Sequence, residues 1–205
     1  MRRIGTVDDQ VLAPLVGPVF TGGPPWPSSR QCWRVVRNGP RTILFSDGLS
    51  DPFAGEDGPN TGFGIEVVGE TADALNERLE LSWLYAVINE VSQQAAAYGV
   101  FRRRIDELGL ISMGIEALTD QLAALAGPGG HVGLLLGLQP PGWPMEWHLP
   151  GGSVKLVTVK LLQPAELAFV LKRGEAGREH LRDLFASDGS NHVSSLSRPS
   201  VVGEA

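Results

Sequence analysis

Between Ser82 and Gly99 the apolar side chains recur with a period that only a helix satisfies. Leu84, Val87, Ile88, Val91, Ala95 and Tyr98 fall at i, i+3, i+4, i+7, i+11 and i+14. The spacing predicts an amphipathic helix over 82–98, stopped by Gly99. One apolar stripe of this kind has to be covered, so the remaining chain must supply a surface that receives it. That requirement sets the fold problem.

The surface is legible as a set of strands. Gln31 to Arg37 alternates in part, with Trp33 and Val35 on one face, and Gly39-Pro40 reads as a turn. Thr42 to Ser46 (TILFS) is a continuous apolar run, as expected of a strand buried on both faces. Gly62 to Val68 (GFGIEVV), Leu110 to Ile115, His131 to Leu138 and Val154 to Leu162 (VKLVTVKLL) read as further strands. The segments 47–61 (DGLSDPFAGEDGPNT) and 140–152 (PPGWPMEWHLPGG) read as loops.

Helices fill the gaps. Residues 116–126 are expected to be helical up to Gly127, and the polar stretch 101–108, with Arg102, Arg103 and Arg104, reads as a solvated helix edge. Pro164 suits a first helical turn and Glu166 the positive end of the helix dipole. A stripe of Leu167, Val170 and Leu171 then runs to Gly174, and a further helix carries Leu181, Leu184 and Phe185. Residues 1–30, rich in Gly and Pro, read as an arm with one short helix ahead of a domain over 31–205. Strands and helices alternate without strict βα order. The expected class is therefore α/β (α+β), a mixed β-sheet packed by helices rather than a doubly wound parallel sheet.

Charge narrows the function. Lys plus Arg is 17 and Asp plus Glu is 23, a net charge of −6, which argues against gripping nucleic-acid phosphates and suits a basic protein partner. The single cysteine, Cys32, lies among Trp33, Val35 and Val36 and reads as a reduced thiol in a core strand. After Met1-Arg2-Arg3, Asp8-Asp9 precede an apolar stretch that Pro14, Gly17 and Pro18 interrupt, so no secretory leader is expected. With no apolar run of membrane-spanning length, a cytoplasmic protein is expected, with no membrane and no nucleic-acid partner.

No metal, cofactor or catalytic residue is expected. His131, His148, His180 and His192 lack ligand spacing, and the glycines at 127–130 lack the Gly-Lys-Ser/Thr of a phosphate loop. Asp47, Asp51, Glu56, Asp57 and Glu66 cluster around one loop and read first as solvated turn carboxylates. The alternative is an enzyme that uses Asp47, Asp51 and Glu66 for acid/base chemistry.

Three segments carry a family resemblance. TILFSDGLSDPF (42–53) followed by GFGIEVV pairs an apolar strand and a Gly-Leu-Ser turn with a glycine-led strand bearing Glu-Val. LSWLYAVINEVSQQAAAYG is a helix with a leading tryptophan, Trp83. SVKLVTVKLLQPAELAFVLKRGEAGREHLRDLF (153–185) adds an apolar strand, a turn, a Glu-Leu helix and a glycine before a final helix, and VSSLSRPSV (193–201) closes the unit. In this order they resemble the suppressor-of-fused domain, in its bacterial single-domain form.

The resemblance implies a non-catalytic protein-binding domain. In animals such proteins sequester a transcription factor, through a site that involves a second domain for which this chain is too short. In bacteria similar domains are read as immunity proteins of polymorphic toxin systems, which makes a toxin domain the expected partner. A scaffold subunit of a larger assembly is a further alternative. With only Lys155, Lys160 and Lys172 as lysines, the usage favours a GC-rich bacterial gene.

The residues assigned to the partner are Trp143, Met145 and Trp147, with Asp47 and Asp51. In an extended loop the first three share one side and Glu146 takes the other. Two readings of that side stay open: the indoles cap the sheet, or they anchor a partner.

Overall fold

The computed structural model describes residues 4–14, 16, 22–127 and 129–203. Its centre is one eight-stranded sheet. The strands are β1 (Thr6–Leu12), β2 (Cys32–Asn38), β3 (Arg41–Asp47), β4 (Ile65–Thr71), β5 (Ile111–Glu116), β6 (His131–Leu136), β7 (Glu146–Leu149) and β8 (Gly152–Leu161). The order is β1-β2-β3-β4-β8-β6-β5, with β7 also paired to β8. All pairs are antiparallel except β4 with β8. The helices are α1 (Trp83–Tyr98), α2 (Phe101–Leu108), the single turn α3 (Asp120–Ala123) and α4 (Pro164–Ser187). This is the mixed, helix-packed α+β sheet expected.

The helix read most clearly receives the treatment its stripe demands. Ser82 caps α1 by accepting from the Tyr85 amide, and Gly99 ends it in the left-handed conformation that glycine adopts without strain. Leu84, Val87, Ile88, Val91 and Ala95 are buried in the main core with Leu44, Val67 and Val157 of the sheet. Gly69 on β4 permits the approach: a Cβ there would stand 2.6 Å from Ile88 Cδ1. Tyr98, the last member of the stripe, instead lies 68% exposed, because the helix has run past the core at its final turn.

Position parity on β8 sorts the layers. Val157, Val159 and Leu161 face the α1 side, whereas Leu156 and Leu162 belong to two apolar clusters on the opposite face. One of those clusters lies under α4, with Leu135, Val170, Leu181 and Phe185. The other comprises Val36, Ile43, Phe45, Val68 and Leu156.

Several boundaries differ from expectation for physical reasons. The part of 1–30 expected to hold a helix contains β1, an edge strand whose Asp8 and Asp9 are compatible with its half-solvated position; residues 1–3, 15 and 17–21 lie outside those described. Strand β4 starts only at Ile65, since Gly62 and Gly64 both take positive φ and form the turn before it. The segment 116–126 shrinks to one helical turn. The 140–152 loop contains β7, which folds back on β8 as a hairpin. The two helices expected after Pro164 run as α4, bent at Gly174, where φ is 58° and ψ −128°.

Candidate functional site

Trp143, Met145 and Trp147 pack, each half-buried, against the Val36–Phe45–Leu156 cluster. Trp143 stacks on Phe45 with ring centroids 6.0 Å apart and meets His192 edge-on at 5.0 Å. The backbone holds them there: the Leu156 amide donates to Met145 O, and Trp147 pairs with Val154 in the β7–β8 hairpin. Glu146 points the other way and accepts from Arg102 of α2 at 2.6 Å. The alternation read from the spacing is the one observed, and the three residues cover the sheet while keeping part of their surface in solvent.

Asp47 stands two places beyond Phe45 on β3, so both side chains lie on that same sheet face. Its carboxylate pairs with Arg34 at 2.7 Å and with Arg30 at 3.1 Å. Arg30 also binds Asp51, which accepts from Ser28 Oγ at 2.6 Å. Burial alone would raise Asp51, but the Arg30 and Ser28 hydrogen bonds outweigh it and hold it below the usual carboxylate range. These two carboxylates thus fasten the segment before β2 to the end of β3.

Glu66 differs from both. It is only 6% exposed and lies beneath the Gly48-Leu49-Ser50 turn. One carboxylate oxygen accepts from the Gly48 amide at 3.2 Å, the Ser50 amide at 2.9 Å and Ser50 Oγ at 2.6 Å, and the other is bonded to Ser46 Oγ. Gly48 is required at this turn, since its φ is 143° and a Cβ would meet Arg30 O at 2.2 Å. Cys32, at the start of β2, is buried beside Asp47 O; burial first, then Asp47, pushes its thiol up, as expected of an unreactive core cysteine.

The sequence matches no protein-family model and no curated protein. Among solved structures, a chain of the Sufu–Fu complex crystal structure superposes with a TM-score of 0.57 at 16% identity, over 95% of this chain and 85% of that one. This chain has the Suppressor of Fused fold. The crystal structure of Drosophila Suppressor of Fused matches at TM-score 0.48 and 16% identity, over 78% of this chain and 39% of the Drosophila chain, well under half of that protein.

In this Suppressor-of-Fused-like domain the first resemblance segment is one physical unit. The Gly-Leu-Ser turn exists in its observed form because the Glu66 carboxylate on the adjacent strand, β4, collects its amides. Burial raises Glu66 from 4.5 to about 7, against the opposing hydrogen bonds of Ser46, Ser50 and Gly48. A raise of that size means that the fold disfavours the charged form, relative to water, by about 3 kcal/mol. The folded state then binds more protons than the unfolded one between pH 4.5 and about 7, so stability falls as pH rises through that window. Glu66→Gln should flatten this slope, read by denaturant unfolding at pH 4.5, 6 and 7.5; a slope identical to wild type would place the titration elsewhere.

Sequence reasoning missed a second polar system, where the C-terminal segment crosses the sheet. Glu70 of β4 bonds His192 Nε2 at 2.6 Å and Arg41 at 3.2 Å. Burial would raise Glu70, and these two partners hold it low. Lys160 of β8 is fully buried, donates to Val193 O at 2.7 Å and lies 4.3 Å over the Phe185 ring. Burial and then Arg198 push its ammonium down to about 7. Glu166 at the start of α4 receives both guanidinium nitrogens of Arg198, at 2.6 and 2.5 Å. These partners are far apart in sequence, and no local pattern announces them. Among the described residues, no group of three or more His, Cys, Asp or Glu could hold a metal ion, and no helix is long and apolar enough to cross a membrane.

Proposed function

We propose that this chain is a non-catalytic protein-binding domain, an immunity-type protein of a bacterial polymorphic toxin system that neutralises a toxin domain in the cytoplasm. The observation that carries the reading is the aromatic loop: Trp143, Met145 and Trp147 keep part of their surface in solvent on a sheet face whose apolar cluster, among the described residues, contains no helix residue. Half-exposed tryptophans on a proline-stiffened loop lose little entropy when a partner covers them, and tryptophan is enriched among residues that dominate binding. Asp47, on that same sheet face, and Asp51 beside it are paired with Arg30 and Arg34, and they would meet a basic partner by exchanging those pairs.

The same geometry weighs against acid/base work by Asp47, Asp51 and Glu66. Each already accepts hydrogen bonds from its own domain, and Glu66 is enclosed by the turn it organises. The fold of the Sufu–Fu neighbour is consistent with a binding role.

The test is to read the neighbouring genes for a toxin-like open reading frame and to co-express its product with this chain, scored by growth and by affinity of the purified pair. Trp143→Ala and Trp147→Ala should each weaken binding by about 2 kcal/mol or more. A partner that binds both variants as tightly as wild type, or a melt lowered by many degrees with binding intact in the folded fraction, would assign the indoles to capping alone. A turnover that collapses in Asp51→Asn while the fold persists would establish the enzyme instead.

A further inference from the structure

Helix α4 has a second stripe that the core covers only in part: Phe169 and Leu184 touch the cluster under α4 from its edge and stay half-buried. Its buried positions are Glu166, Leu167, Val170, Gly177, Leu181 and Phe185. Beside them Ala165, Ala168, Phe169, Lys172 and Arg173 fall at i, i+3, i+4, i+7 and i+8, and His180 and Leu184 at i and i+4 beyond the Gly174 bend. The bend brings the two halves around one open groove of about 700 Å³, and Val201 and Val202 form its opposite wall. Those valines are held in place by the Val201 amide, which donates to Glu166 at 2.9 Å, next to the Arg198–Glu166 pair.

The floor of the groove is apolar and built around one ring. Arg173 lies 4.5 Å over the Phe169 ring, and the His180 ring sits 5.5 Å from it. Among the described residues, every ionisable side chain that lines the groove is basic: Lys172, Arg173 and His180. In a chain with 23 acidic and 17 basic residues, three basic side chains gathered on one rim are a local concentration of positive charge. Both Lys172 and Arg173 are exposed, so their charges are available to an incoming group.

The geometry points to this groove as a docking site for an acidic peptide segment of a partner protein, with an apolar side chain on Phe169 and flanking carboxylates on Lys172 and Arg173. Apolar burial supplies the contact, and the basic rim selects the sign of the partner. The site lies on α4, apart from the aromatic loop, and would stand whether or not that loop binds a toxin.

The full chain is titrated with fluorescein-labelled Glu-Glu-Leu-Phe-Glu-Glu, with the same peptide carrying Lys for Glu, and with sodium decanoate. Anisotropy and amide NMR shifts are the readouts. Saturable binding of the acidic peptide is expected, weakened by salt, with shifts at Phe169, His180 and Val202. Lys172→Glu with Arg173→Glu should reduce its affinity about tenfold with an unchanged melt, while Trp147→Ala leaves it unaffected. No saturable binding, equal binding of the lysine peptide, equal affinity in the charge-reversed variant, or binding of decanoate without the peptide would each overturn the assignment.

Discussion

Arg198→Ala is expected to lower the unfolding free energy by about 3–5 kcal/mol, the cost of stranding one member of a buried ion pair. Glu166 is fully buried and satisfies four groups at once. It accepts from the Gln163 amide at 2.8 Å as the return half of the α4 capping box, from the Val201 amide, and from both terminal nitrogens of Arg198. Arg198 also donates to Leu161 O at 2.9 Å and lies 5.0 Å over the Phe185 ring. Its removal leaves a buried carboxylate beside an empty site, and detaches the C-terminal segment from both β8 and α4.

Around this pair the segment 190–202 is held mostly by polar contacts. Leu161 donates to Ser194 Oγ at 2.9 Å, and Asp73 accepts from Ser195 Oγ and the Leu196 amide. For a chain of 205 residues the loss should appear as a melting point lower by roughly 10 °C, and as earlier proteolysis after Ser190. Replacing both partners, Glu166→Leu with Arg198→Leu, should cost less than Arg198→Ala alone, because no buried charge is then left unpaired. A loss below about 1 kcal/mol for Arg198→Ala would show that the segment does not close the fold.

Ile88→Ala and Leu84→Ala should each cost about 2–5 kcal/mol. Ile88 has no solvent exposure, and its Cδ1 sits directly above Gly69, the glycine of β4. Neither wall can collapse into the space left behind, because the strand is locked between β3 and β8. Gly69→Ala alone should also destabilise, since its Cβ would overlap Ile88. The two changes should compensate: the double variant is expected to be more stable than the sum of the singles by about 1 kcal/mol. Additive losses would mean that α1 shifts instead of packing here. Losses within about 0.5 kcal/mol of wild type for Ile88→Ala and Leu84→Ala would mark the stripe as an exposed partner groove.

How much of this is legible in the sequence depends on the range of the interaction. The α1 stripe and its glycine stop, the apolar β3 and β8 and the proline that opens α4 are all local signals. Each follows from a side-chain period or a backbone constraint within a few residues. The common side of Trp143, Met145 and Trp147 was readable for the same reason. That side faces Phe45 and His192 only because β7 pairs with β8, which no spacing within the loop implies.

Strands β1 and β7 escaped notice because an edge strand is held by its backbone and tolerates polar side chains. Asp8 and Asp9, or His148 between Trp147 and Leu149, look like loop residues until a neighbour is in place. Cluster chemistry was hidden for a related reason. Asp47 and Asp51 read as solvated turn carboxylates, yet Arg30 and Arg34 reach them across the sheet. His192 finds Glu70, and Arg198 finds Glu166, through contacts that depend on the whole chain being folded. The periods of helix and strand are written into neighbouring residues, so the sequence alone determined which segments form the layers. Which buried charge meets which partner was decided only by the packed sheet, where desolvation makes an unpaired carboxylate or lysine too costly to leave alone.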